Sequence, residues 1–297
     1  MPLLASLAAV YLIWSSTYLA MRVAVAELPP FAMASTRFLV AGAVLLAIAR
    51  RRGAAWPSAA VWRRNLPIGV LLFVGGNGFV AVAEQSVPSG GAAIVCATMP
   101  LWVGVFGAVF GARPTARECA SLVLGFTGVV VLMGGPSLAG KPAHVALLIM
   151  SPIAWAIGSL LSRRGKGAEG PQATMVNAGV QMLCGCAVLA IAAMIHREPI
   201  AVHASARAWL ALGYLAVFGS IVSFTAYSWL LANARPVVAT SYAFVNPVLA
   251  VLLGAALYGE PLGVTTVIAN AMIVGAIVIA IKRPQPQRSA RYGVSDT

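Results

Sequence analysis

The segment from Ala92 to Gly128 recurs without a gap 147 positions later, as Ala239 to Gly275. Ala92, Pro100, Gly107, Ala108, Pro114 and Gly128 fall on Ala239, Pro247, Gly254, Ala255, Pro261 and Gly275, so prolines, glycines and spacing repeat together. A fainter echo pairs Trp14 and Leu19 with Trp155 and Leu160 at an offset of 141. Self-similarity at a fixed period decides the architecture before any local reading does. It divides the chain into residues 1–138 and 139–283, followed by a polar tail, 284–297, expected to be disordered.

Both copies lie in apolar sequence. With 60% apolar and 9% charged residues, the chain suits a lipid surround. A hydrocarbon core about 30 Å thick calls for helices of roughly 20 residues. Ten such spans are expected: Leu3 to Val25, Phe31 to Ala49, Leu66 to Gln85, Gly91 to Phe110, Cys119 to Leu138, Val145 to Leu161, Ala173 to Ile195, Trp209 to Leu231, Val237 to Tyr258, and Gly263 to Ile281. The fold class is therefore an all-α polytopic membrane protein. The first span reads as a retained helix, since no basic region precedes it.

A net charge of +13 would suggest nucleic acid in a soluble protein, but here the positions of the charges exclude that partner. Alternate loops and the tail hold 15 Lys and Arg, with Arg50, Arg51, Arg52, Arg63 and Arg64 in one loop, against Lys141, Arg197 and Arg207 on the other side. Arg22 and Arg37 lie within predicted helices. The positive-inside bias predicts that both termini are cytoplasmic. Five spans per copy is odd, so the second copy enters the membrane inverted, the symmetry that lets one sequence open a midplane site to either side.

The same symmetry locates a candidate site. Pro100 and Pro247 each remove a donor and crowd the carbonyl four residues back, at Cys96 and Ala243, so helix breaks are expected there. A freed carbonyl in lipid must find a partner or a wet cavity. Polar and aromatic residues at similar depth share these faces. Trp14, Asn77, Met99, Trp155, Tyr227, Tyr242 and Asn246 are expected to line one central substrate cavity, with no clear charged partner at midplane. Arg37 and Glu84 are expected to form a structural ion pair in the outer third of the membrane, because pairing lowers the cost of burying either charge.

Catalytic and metal chemistry find no support in the sequence. Glu27, Glu84, Glu118, Glu169, Glu198, Glu260 and Asp296 are the only acids, and none pair at ligand spacing. Cys184 and Cys186 face different sides of a helix. His144, His196 and His203 sit near loops, and there is no phosphate-binding glycine loop. The chain is expected to be no enzyme and to need neither cofactor nor metal.

The Trp-containing first helix ending at Arg22, Arg37-Phe38 in the second helix, the prolines Pro100 and Pro247, and Gly259-Glu260-Pro261-Leu262 are shared features of a known group. With the glycines of the fifth and tenth helices, they resemble the EamA-type drug/metabolite transporter superfamily over residues 1 to 283, and within it the bacterial aromatic amino-acid exporters. That resemblance implies a ten-helix inverted repeat with a cavity between halves, and export across a bacterial inner membrane. One departure is Arg113, where an acid is usual after the fourth helix, while the second copy keeps Glu260. The expected partners are membrane lipid and a small-molecule substrate, most readily neutral and aromatic amino acids. Cationic drugs or nucleobases are the alternative cargo, and a lipid-modifying or sensory membrane protein the alternative class. Energy coupling and oligomeric state are left open.

Overall fold

A computed structural model describes residues 3–87, 89–109, 113–132, 134, 140–164, 171–199, 204–249 and 263–281. These residues are helical, with no strand among them. Grouped by continuity they give α1 (Leu3–Val25), α2 (Pro30–Arg51), α3 (Ala59–Ala83), α4 (Ser89–Cys96 and Met99–Val109) and α5 (Ala116–Leu132) in the first half. The second half gives α6 (Pro142–Arg164), α7 (Pro171–Ile195), α8 (Ala206–Asn233), α9 (Pro236–Leu249) and α10 (Val264–Ile281). Six of them, α1, α2, α3, α6, α7 and α8, are long and apolar enough to cross a membrane. The described parts of α4, α9 and α10 are shorter apolar helices, and α5 has 17 residues. The order follows the expected spans. Residues 250–258, Glu260 and the tail lie outside the described residues.

Helix α3 starts seven residues before its expected span at Leu66. Hydropathy stops a span at its last apolar residue, whereas the helix continues because its polar first turns find partners on α7. Arg64 Nη2 and Asn65 Nδ2 donate to Asn177 Oδ1 at 3.2 and 3.0 Å, and Gln181 Nε2 donates to Asn65 Oδ1 at 2.8 Å.

The helices pack in pairs that exchange under the sequence repeat. Extensive contacts join α2 to α7 and α5 to α10, in each case a helix and its own counterpart. Contacts of α3 with α6 are matched by those of α8 with α1. Small residues set the first of these distances. A Cβ on Gly42 would meet the Gly179 carbonyl oxygen at 2.9 Å, and one on Gly179 would meet that of Gly42 at 3.1 Å, so only glycine lets α2 and α7 approach so closely.

Two irregular segments fall at Gly75-Gly76-Asn77-Gly78 and Gly219-Ser220, where glycine in the sequence allows either close helix packing or a loosened turn. Val70–Gly78 in α3 and Leu215–Val222 in α8 are π-helical. A π segment inserts an extra residue per turn and is found mostly at functional positions. The two are built alike: Asn77 Nδ2 donates to the Leu72 carbonyl at 3.4 Å, and Ser220 Oγ to the Leu215 carbonyl at 3.1 Å, each five residues back.

The helix breaks also differ from expectation. In α4 the break is at Ala97 and Thr98, immediately before Met99 and Pro100, where proline is tolerated in a first helical turn. In α9 it is at Ser241, and Pro247 lies inside the resumed helix. The break in α9 therefore falls two residues before Ala243, where Pro247 predicts it. A hydroxyl marks both places: Thr98 Oγ1 donates to the Val95 carbonyl at 2.6 Å and Ser241 Oγ to that of Val238 at 2.7 Å. Such local bonds compete with the helical ladder and bend it.

Candidate functional site

The π segments and the breaks surround a cavity of about 90 Å³. Its wall on α1 runs through Trp14, Thr17, Tyr18 and Met21, and on α2 through Arg37 and Phe38. It therefore lies in the half of the bundle nearer the α1–α2 connection. Of the seven residues expected at a central cavity, Trp14, Asn77, Met99, Trp155, Tyr242 and Asn246 border it. Tyr227 does not; it is fully buried behind Trp155.

Aromatic rings close one end of the cavity. Trp14 meets Trp155 edge-on at 5.7 Å and Tyr242 at 4.5 Å, and the Tyr227 ring lies 5.1, 5.9 and 5.6 Å from Trp14, Trp155 and Tyr242. These spacings suit edge-to-face and tilted attraction between ring quadrupoles. Polar groups fix the rings in place. Trp14 Nε1 donates to the Gly219 carbonyl at 2.9 Å. Trp155 Nε1 donates to Tyr227 Oη at 3.2 Å, and Ser159 Oγ shares a 2.7 Å bond with the same hydroxyl. Beyond this floor, Tyr11 Oη bonds Ser241 Oγ at 2.6 Å, tying α1 to the break in α9.

Each π segment gives a carbonyl to the helix that crosses it. Gly219 of α8 accepts from Trp14 of α1, and Gly76 of α3 accepts from Ser151 Oγ of α6 at 2.8 Å. Widening the turn frees a carbonyl, which inside a membrane needs a donor. At Gly76 the Trp155 ring also lies where a Cβ would be, so glycine lets the indole lie flat against the backbone.

The charged residues depart from expectation. The Arg37–Glu84 pair is not formed. Arg37 lines the cavity at 4% exposure, where its Nε donates to Ser220 Oγ at 2.8 Å and its cation lies 5.0 Å from the Phe38 ring centroid. Glu84 keeps both carboxylate oxygens buried and without a hydrogen bond among the described residues, and Arg22 is the cation that acts on it. The π turn explains the exchange, because it places Ser220 opposite Arg37 and so supplies a neutral acceptor. A charge therefore borders the site after all. Its signal was an arginine seven residues into an apolar helix, a position that marks function more often than structure.

Asn246 borders the cavity at 3% exposure, and its Oδ1 accepts no hydrogen bond among the described residues. An unsatisfied buried acceptor costs about 1–3 kcal/mol, so this wall, where the Tyr18 hydroxyl also meets the Asn246 side chain, can accept from a bound N–H or O–H donor. Among the described residues no three His, Cys, Asp or Glu side chains gather at metal-binding distance. The residues absent from the sequence reading, including Phe73, Met182 and Phe224, look like ordinary core positions until the packing places them.

A sequence model of the EamA-like transporter family matches residues 2–134 and 143–282, one copy in each half. The chain is 42% identical to the uncharacterized inner membrane transporter YedA of Escherichia coli (strain K12), over 94% of its own length and 90% of that protein. It is 22% identical to the uncharacterized transporter YvbV of Bacillus subtilis (strain 168), over 98% of this chain and 95% of that one. A solved crystal structure shares the fold with a TM-score of 0.74 at 23% identity, covering 93% of this chain and 95% of its own.

Proposed function

The chain belongs to the EamA-like transporter family, a multi-pass membrane transporter, and from that premise we propose that it exports neutral and aromatic amino acids across a bacterial inner membrane. The observation that carries this reading is the composition of the cavity. Three aromatic faces, Trp14, Trp155 and Tyr242, border it together with the unsatisfied Asn246 Oδ1. Rings suit an apolar or aromatic side chain, and a free acceptor suits the ammonium that every amino acid carries. Alternating access follows from the inverted halves, which pack through exchanged helix pairs around this one cavity. The same cavity in a carrier of cationic drugs would have no use for a bordering arginine.

Efflux from proteoliposomes, with a panel of labelled amino acids, nucleobases and cationic dyes, tests the reading. Trp155→Ala should slow aromatic substrates about two- to tenfold more than alanine or serine, since a ring face contributes about 0.5–1.5 kcal/mol beyond area burial. Asn246→Ala should slow the whole amino-acid panel. Parental efflux across the panel in both variants, with normal insertion, would return these residues to a packing role.

A further inference from the structure

We propose that Arg37 is the carboxylate-binding residue of the cavity, so that the substrate is recognised as an acid at one pole and as an amine at Asn246. The inference rests on the cavity being the transport site and goes beyond it, because it names the ionic group the cargo must carry.

The geometry gives three reasons. First, Arg37 is a buried cation on the cavity wall, and the partner it has there, the Ser220 hydroxyl, is neutral. Burying a guanidinium without a counter-charge is costly, and a substrate carboxylate relieves that cost only while it is bound. Second, the orientation is fixed. Nε is engaged by Ser220 Oγ, and that hydroxyl is itself held by the Leu215 carbonyl. No other hydrogen bond from Arg37 forms among the described residues. The two Nη groups are therefore left to give the parallel pair of N–H donors that a carboxylate accepts. Third, the site adjoins the aromatic floor. Nη2 lies 3.1 Å from the position a Gly219 Cβ would take, and the Gly219 carbonyl holds Trp14. An acid held at Arg37 thus brings its side chain toward the rings.

Carboxylate fits better than phosphate. A dianion would call for more than one cation, and the remainder of the wall is aromatic, aliphatic or neutral polar.

The test uses the purified full chain in detergent, by thermal shift, with two isosteric probes: 3-phenylpropionate and 3-phenylpropionamide. The parent should bind the acid at least about tenfold more tightly than the amide, as expected for a charge-assisted bond replacing a neutral one. Arg37→Gln should bind the two alike, Arg37→Lys should recover part of the preference, and Ser220→Ala should weaken the acid without changing the amide. A parent that shows no preference for the acid, or an Arg37→Gln protein that keeps it, overturns the assignment. Should Arg37→Gln fail to fold, Arg37→Lys and Ser220→Ala decide: unchanged preference in both refutes the proposal. Because these probes are not amino acids, a preference for the acid that Arg37 controls stands even if no amino acid is exported, in which case only the export reading falls.

Discussion

Tyr227 shows how a residue can belong to a site without touching what binds there. Its ring is fully buried, and its hydroxyl meets Trp155 Nε1 and Ser159 Oγ, so it sets the angle of an indole that does face the cavity. Tyr227→Phe keeps the ring and leaves the Trp155 N–H unpaired. It should lower stability in detergent by about 1 kcal/mol, and reduce efflux of aromatic substrates while small ones pass as before; equal loss across the panel would make Tyr227 a mere core residue. Gly219→Ala probes the cation from the opposite side. Its Cβ would press on Arg37 Nη2 at 3.1 Å and on Thr17 Cγ2 at 3.0 Å, so the guanidinium must move. The variant should lose preference for a carboxylate probe while keeping its fold, and an unaltered preference would mean that Arg37 is positioned by Ser220 alone. At this scale the sequence was legible where a residue type is unusual for its surroundings: Trp14, Asn77, Trp155, Tyr242 and Asn246 stood out in apolar helices and do border the cavity. Arg37 stands out equally, but its partner depends on the π turn that brings Ser220 to face it, and Gly219-Ser220 in the sequence fits close packing as well as a loosened turn.

Among the elements, helices were readable from hydropathy because burial in lipid requires long apolar runs, and their order and approximate limits follow the expected spans. Irregularities inside them were readable only in part. Proline points to the break in α4, whereas the break in α9 forms at Ser241, two residues before the carbonyl that Pro247 crowds, and the Ser241 hydroxyl bonds back to the Val238 carbonyl. For both π segments the glycines leave close packing and a loosened turn open, and packing decides: a carbonyl is freed where a crossing helix offers a donor, Ser151 to Gly76 and Trp14 to Gly219. Ser151→Ala and Trp14→Phe each delete one of these donors and preserve most of the side-chain volume. Each should lower the thermal stability of the purified protein by about 1 kcal/mol. A loss at one position with none at the other would show that the π segments are not equivalent parts of the repeat.

Taken whole, the molecule is braced between its halves at both ends. At the end that joins α1 to α2 and α7 to α8, two acids cross over. Glu27 accepts from Ser205 N at 2.6 Å and Ser205 Oγ at 2.7 Å, at the start of α8. Glu198 accepts from Phe31 N at 3.1 Å and Ala32 N at 2.7 Å, capping the first turn of α2, where unpaired N–H groups and the helix dipole favour an anion. The Ser205 donors hold the Glu27 carboxyl below the ordinary glutamate value of about 4.5. A depressed value means a contribution present at neutral pH and lost as acid protonates the group, so this contact should weaken only below about pH 4.5. At the opposite end, Arg235 Nη2 meets Glu118 Oε2 at 2.7 Å, bridging the start of α5 and the α8–α9 connection. The charge bias of the loops predicts the first end outside and both termini in the cytoplasm, so reporter fusions after successive helices should alternate, with a periplasmic carboxyl terminus contradicting the inverted repeat. In the alternating access proposed above, the two braces oppose each other, and Cys96, a free thiol on the cavity wall, reports which end is open. In a Cys119→Ser, Cys184→Ser, Cys186→Ser background, Glu27→Ala with Glu198→Ala should raise labelling of Cys96 by an impermeant maleimide added to spheroplasts. Arg235→Ala should lower it, by releasing the inner end instead. Changes of the same sign in both variants would mean that these contacts hold the bundle together without choosing which face of the cavity opens.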